Sequence, residues 1–80
     1  MLVLSTGHLT EEVCNQYLQG HLGPWWPKEP YGWFVYVYAE DKTLPQSLHD
    51  CLDYARGQGC EWVMFDRDGP FEEELTVYDW

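Results

Sequence analysis

Positive charge is scarce in this 80-residue chain: Lys28, Lys42, Arg56 and Arg67 stand against fourteen Asp and Glu, a formal net charge of −10. A surface so poor in cations repels nucleic-acid phosphates and anionic membranes, and it is drawn to basic surfaces. Cysteine is also sparse. Cys14, Cys51 and Cys60 are an odd number with no close pair, which suits reduced thiols in a cytoplasm better than a secreted disulfide framework. Long apolar runs are missing: no segment approaches the roughly 20 residues of a membrane span. Met1-Leu2-Val3-Leu4 is too short and lacks the basic flank of a signal peptide. Repeats and low-complexity linkers are absent as well, so the chain reads as one cytoplasmic domain over 1–80.

What is present separates the chain from a disordered acidic tail. Hydrophobic residues make up 45% and aromatic ones 18%, with five Trp, six Tyr and three Phe. Aromatic rings bury large areas each, so a short chain can reach a sufficient core without metal or cross-links.

Leu2-Val3-Leu4-Ser5-Thr6 reads as a strand. Thr10 then fits a helix N-cap, with Glu11 and Glu12 in the first turn. Val13, Cys14, Tyr17, Leu18 and His21 recur on one face of a helix from about Glu11 to Gln19, which Gly20 can end. Residues 20–32 hold Gly20, Gly23, Pro24, Pro27, Pro30 and Gly32 around Trp25 and Trp26, and so many breakers predict an ordered aromatic loop without regular structure. Trp33 to Ala39 is the clearest strand, and its near-continuous apolar character suggests a central place in the sheet.

Pro45 sits where the first position of a second helix would be, with Leu44, Leu48, Cys51, Leu52 and Ala55 on the apolar face and Gly57 and Gly59 as the stop. Trp62-Val63-Met64-Phe65 is a third strand, ended by the turn Asp66-Arg67-Asp68-Gly69-Pro70, and Leu75 to Tyr78 offers a short edge strand. The order β-α-β-α-β predicts an α+β fold: a small sheet of three to four strands with two helices packed on one face. The second strand-helix-strand unit can be a right-handed parallel crossover.

Three constellations invite chemistry. Asp66-Arg67-Asp68-Gly69 after an apolar strand looks like the first motif of haloacid-dehalogenase-type phosphatases, where one Asp is nucleophile and the other acid/base. Only eleven residues follow Gly69, and Pro70 replaces the usual Thr, so a strand-ending turn is the better reading and no catalytic residue is assigned. His8, His21 and His49 share no ligand spacing with the cysteines, and Asp66 to Gly69 misses the calcium-loop pattern, so neither metal nor cofactor is expected. His8 reads as local turn chemistry beside Thr10, and Cys14 and Cys51 as core packing. Trp25-Trp26-Pro27 either caps the sheet or presents a braced aromatic hot spot to a partner. Finally, Glu61, Asp66, Asp68, Glu72, Glu73, Glu74 and Asp79 place seven of the fourteen acids in the last twenty residues, opposed only by Arg67. Such carboxylates can occupy Lys/Arg groups that would otherwise bind DNA phosphates.

Leu4-Ser5-Thr6-Gly7-His8-Leu9-Thr10, Tyr31-Gly32-Trp33-Phe34-Val35, Gly59-Cys60-Glu61-Trp62, Phe65-Asp66-Arg67-Asp68-Gly69-Pro70 and Tyr78-Asp79-Trp80 together resemble a family of small uncharacterised bacterial and mobile-element proteins. Size, acidity and aromatic content also resemble phage-derived anti-CRISPR proteins, among them those acting on type I-C systems. That resemblance implies a monomer in the cytoplasm of a bacterial host, bound to the CRISPR surveillance complex and blocking target DNA. The leading expectation is therefore a non-enzymatic DNA mimic whose partner-binding residues are Glu61, Asp66, Asp68, Glu72, Glu73, Glu74 and Asp79, with Trp25 and Trp26. The alternative is a plasmid- or phage-borne accessory protein that binds a partner through the Trp25-Trp26 loop.

Overall fold

Alternating burial along two neighbouring strands organises the molecule. The computed structural model describes residues 1–20, 23–29, 32–37 and 44–80. Four strands, β1 (Leu2–Ser5), β2 (Trp25–Pro27), β3 (Gly32–Tyr36) and β4 (Trp62–Asp66), form one mixed sheet in the order β1-β4-β3-β2. β1 lies parallel to β4, while β4 with β3 and β3 with β2 are antiparallel. The fold is thus α+β with two helices, as expected, and β3 is an inner strand. The parallel crossover is corrected: the second helix joins antiparallel neighbours, and the parallel pair is β1 with β4.

One sheet face carries Leu4, Phe65, Val63, Val35, Trp33 and Trp25, all buried. Both helices supply the other half of that core. The first helix covers 11–20; Thr10 caps it, its Oγ1 accepting from the Val13 amide at 3.2 Å. Val13, Cys14 and Leu18 face the sheet, as the spacing predicts, and His21 lies outside the described residues. Its middle, Val13–Tyr17, is π-helical, so the Leu18 amide reaches back to the Val13 carbonyl. Here the ladder leaves acceptors to side chains: Trp33 Nε1 donates to the Cys14 carbonyl at 3.1 Å, and Trp25 Nε1 to that of Leu18 at 3.0 Å. The second helix, Gln46–Gly57, buries Leu48, Cys51, Leu52 and Ala55, with Pro45 as its N-cap, one position earlier than expected. The Tyr38 and Ala39 end of the third expected segment lies outside the described residues.

Two expectations fail. Residues 25–27 form an edge strand rather than an irregular loop. β2 bonds to β3 through the Pro24 carbonyl and the Lys28 amide, so the position that lacks an N–H, Pro27, falls where a donor would point away from the sheet. At the start of β3, Gly32 has φ +135°, and a Cβ there would meet the Phe65 carbonyl oxygen.

Conversely, Leu75 to Tyr78 is not a strand. The last segment is held instead by single bonds: Ser5 N to the Pro70 carbonyl, Tyr78 N to the Gly7 carbonyl, and Trp80 Nε1 to the Leu9 carbonyl. His8, 1% exposed, bridges it as well. Its Nδ1 is 2.8 Å from the Thr76 carbonyl, which accepts, and its Nε2 accepts from the Glu72 amide at 2.8 Å. That pair of bonds fixes the tautomer with the proton on Nδ1. His8 is therefore a clamp between distant parts of the chain, not turn chemistry beside Thr10.

Candidate binding surfaces

The consecutive residues Trp25 and Trp26 point to opposite faces of the sheet, because side chains alternate along a strand. Trp25 is 8% exposed and belongs to the core, whereas Trp26 is 51% exposed. The sequence treats them as one element; the structure divides them. Trp26 heads a row running across all four strands through Phe34, Met64 and Val3. Trp62 joins it, with ring centroids 5.6 Å from Trp26 and 5.0 Å from Tyr36. It is an aromatic surface carried by β-strands rather than by a loop. The sequence reading missed Phe34, Tyr36 and Trp62 as surface candidates. Their signal was the alternation within β3 and β4, which an unbroken apolar run disguises.

The seven candidate acids fall into separate settings. Glu61 immediately precedes β4 and Asp66 ends it, so the two sit at opposite ends of one strand. Asp66 is engaged: the Asp68 amide donates to its Oδ1 at 3.0 Å, and Lys28 Nζ lies 3.5 Å from its Oδ2. The Asp68 amide, then the Lys28 and Arg67 charges, hold its carboxyl below the ordinary carboxylate range. This arrangement suits a turn closed by a carboxylate better than a nucleophile. Among the described residues, no three His, Cys, Asp or Glu side chains gather so as to hold a metal ion.

Glu72 and Glu74 approach the second helix. The hydroxyl of Tyr54 is pushed above its ordinary range by desolvation first, then by Glu72 and Glu74 nearby. Asp68, Glu73 and Asp79 are exposed, as is Glu61. Cys14 and Cys51 are buried, and desolvation raises both thiols, Cys51 to about 12. Such thiols are packing groups, not nucleophiles. None of the helices among the described residues is long and apolar enough to cross a membrane.

A family model described as the C-terminal domain of a family of unknown function, DUF5983, matches residues 1–80. The chain belongs to that family. No curated protein and no solved structure matches it.

Proposed function

We propose that this DUF5983 domain is a non-enzymatic binding module that offers organised negative charge to a Lys/Arg-rich protein surface. The observation that carries the reading is the attachment of the acidic C-terminal segment. Glu72 N, the Thr76 carbonyl, Tyr78 N and Trp80 Nε1 are all bonded to residues 7–9. Glu72, Glu73, Glu74 and Asp79 are thereby displayed from a fixed backbone, so little ordering entropy is lost when a partner meets them. Two of the cations are engaged elsewhere: Lys28 pairs with Asp66, and Arg56 with Asp53 at 3.6 Å and with the Val37 carbonyl. The imbalance of four cations against fourteen acids persists whatever their geometry.

In its specific form the proposal is an inhibitor of the anti-CRISPR kind. Its carboxylates stand where DNA phosphates would lie on a type I surveillance complex in a bacterial cytoplasm. Recognition of the PAM precedes strand opening, so an acidic domain seated there stops targeting at its first step. The test loads a purified type I-C surveillance complex with the domain and titrates target duplex. Competition is expected, with inhibitor affinity falling about tenfold or more as salt rises past physiological strength. Unchanged duplex affinity refutes the specific form.

A second reading rests on Trp26, half exposed beside Trp62 and Phe34. On this reading the aromatic sheet face docks an accessory partner and the charge confers solubility. Trp26→Ala separates the two: loss of binding with the fold intact favours the sheet face. Loss after Glu73→Gln, Glu74→Gln and Asp79→Asn favours charge display.

A further inference from the structure

A concavity of about 720 Å³ opens where the π-helical stretch meets the edge of the sheet, bounded by Cys14, Trp25, Trp33, Lys28, Arg67 and Trp80 among others. That volume falls within the range of about 300–1,000 Å³ usual for small-molecule sites. Four indoles line it: Trp26, from the aromatic sheet face, and three whose N–H groups are already committed, Trp25 to the Leu18 carbonyl, Trp33 to Cys14, and Trp80 to Leu9. With their polar atoms satisfied inside the protein, these three rings present carbon surface to an occupant. The first helix supplies the acceptors, the Cys14 carbonyl from its π-helical stretch and the Leu18 carbonyl from its last turn, where carbonyls lack a ladder partner.

Its charge runs against the rest of the molecule. Among the described residues, the cations Lys28 and Arg67 line the concavity, and Glu29 is the only acid that does. Lys28 has three donors; one is aimed at Asp66, outside the lining, and one at the Glu29 carbonyl. Asp66 beside Lys28, with Glu29 at the rim, offsets part of this charge, so an anion would be held by direct charge-assisted hydrogen bonds to Lys28 and Arg67 rather than by a net positive field. We propose that this concavity is a binding site for a small aromatic acid, an aromatic ring body seated among Trp25, Trp33 and Trp80 with its anionic group at Lys28 and Arg67. The site shares Trp26 with the aromatic sheet face, whereas Glu72, Glu73, Glu74 and Asp79 do not line it.

Indole N–H resonances provide the test, because Trp62 lies outside the concavity and serves as an internal reference. 2-Naphthoate is titrated into the ¹⁵N-labelled domain, with the neutral 2-naphthamide in parallel. Expected are saturable shifts at Trp25, Trp33 and Trp80 with Trp62 unmoved, and affinity for the acid about tenfold above that for the amide. Arg67→Gln and Lys28→Gln, each checked for an unchanged unliganded spectrum, should abolish the preference while leaving amide binding in place. Arg67→Gln alone decides if Lys28→Gln perturbs the fold. Absence of saturation, equal affinity for acid and amide, or shifts centred on Trp62 would each overturn the assignment.

Discussion

Replacing His8 with Leu should detach the C-terminal segment from the domain. Leu removes two bonds of 2.8 Å, one to the Thr76 carbonyl and one from the Glu72 amide, while keeping an apolar body of similar bulk. A net hydrogen bond contributes about 1 kcal/mol, and leaving a backbone partner without water adds to that. Both partners are part-buried, so the penalty for stranding them stays toward the low end. The edge contact of His8 with Phe71, at 5.7 Å and 83°, is also lost. Such pairs contribute about 0.5–1 kcal/mol. Together these give about 2–4 kcal/mol, large against the marginal stability of a small domain.

Equilibrium urea unfolding followed by Trp fluorescence measures it, and hydrogen exchange at Glu72 and Tyr78 localises it. Two further variants dissect the clamp. Asn places a donor near the position of Nδ1 and can keep the Thr76 bond; Gln reaches the position of Nε2 and can keep the Glu72 bond. Each should recover about half of the loss. A Leu variant within about 0.5 kcal/mol of the parent would refute the clamp, because a surface-like effect of that size needs no specific bonds.

Asp66→Asn should lower stability at neutral pH and have no such effect in strong acid. The carboxyl is held below its ordinary value in the folded state, so its contribution is complete above the unfolded value of 3.8 and fades as pH falls through the lowered one. Urea midpoints of both proteins across the acid range check this, and a difference that survives full protonation would count against it. Gly32→Ala should cost about 3 kcal/mol or more, since φ +135° is strained for any side chain and the Phe65 carbonyl blocks the Cβ; thermal melting reads it. A thiol reagent at neutral pH should modify half-buried Cys60 first and reach Cys14 and Cys51 only on unfolding. Because Cys51 moves from 9.0 to about 12, its share of stability is intact below pH 9 and is lost as pH rises toward 12. A Cys51→Ala variant with the same alkaline profile as the parent would contradict that.

The elements with regular apolar spacing were legible. Leu48, Cys51, Leu52 and Ala55 mark the second helix, and Thr10 with Val13, Cys14 and Leu18 mark the first, because burial on one face leaves a period in the sequence. β2 was hidden by the prolines that bracket it. Pro24 stands just before the strand and gives β3 only its carbonyl, while the missing N–H of Pro27 points away from the sheet, as an edge allows. The tail misled in the other direction: Leu75 to Tyr78 has strand composition, but its bonds go to the 7–9 turn and not along β1. Nothing local encodes the π-helical stretch or the partners of His8, which are set by residues far away in sequence. The candidate site was half readable. The weight of acid in the last twenty residues was visible, whereas the neutralisation of Asp66 by Lys28 and the opposite facing of Trp25 and Trp26 required the sheet.

The pairing of β1 with β4 also bears on how the chain folds. The β2–β3 hairpin and the β3–helix–β4 unit are built from nearby residues, but β1 and the His8 bond to Thr76, a separation of 68 residues, close the molecule across nearly its whole length. Non-local closure is slow, so an intermediate with β4 still unpaired on one side is expected to persist before β1 and the tail dock. An open strand edge of that kind, Trp-Val-Met-Phe-Asp, is a template for pairing between molecules. A net charge of −10 acts on that species as much as on the finished fold, since mutual repulsion keeps two half-closed sheets apart while each finds its own missing strand.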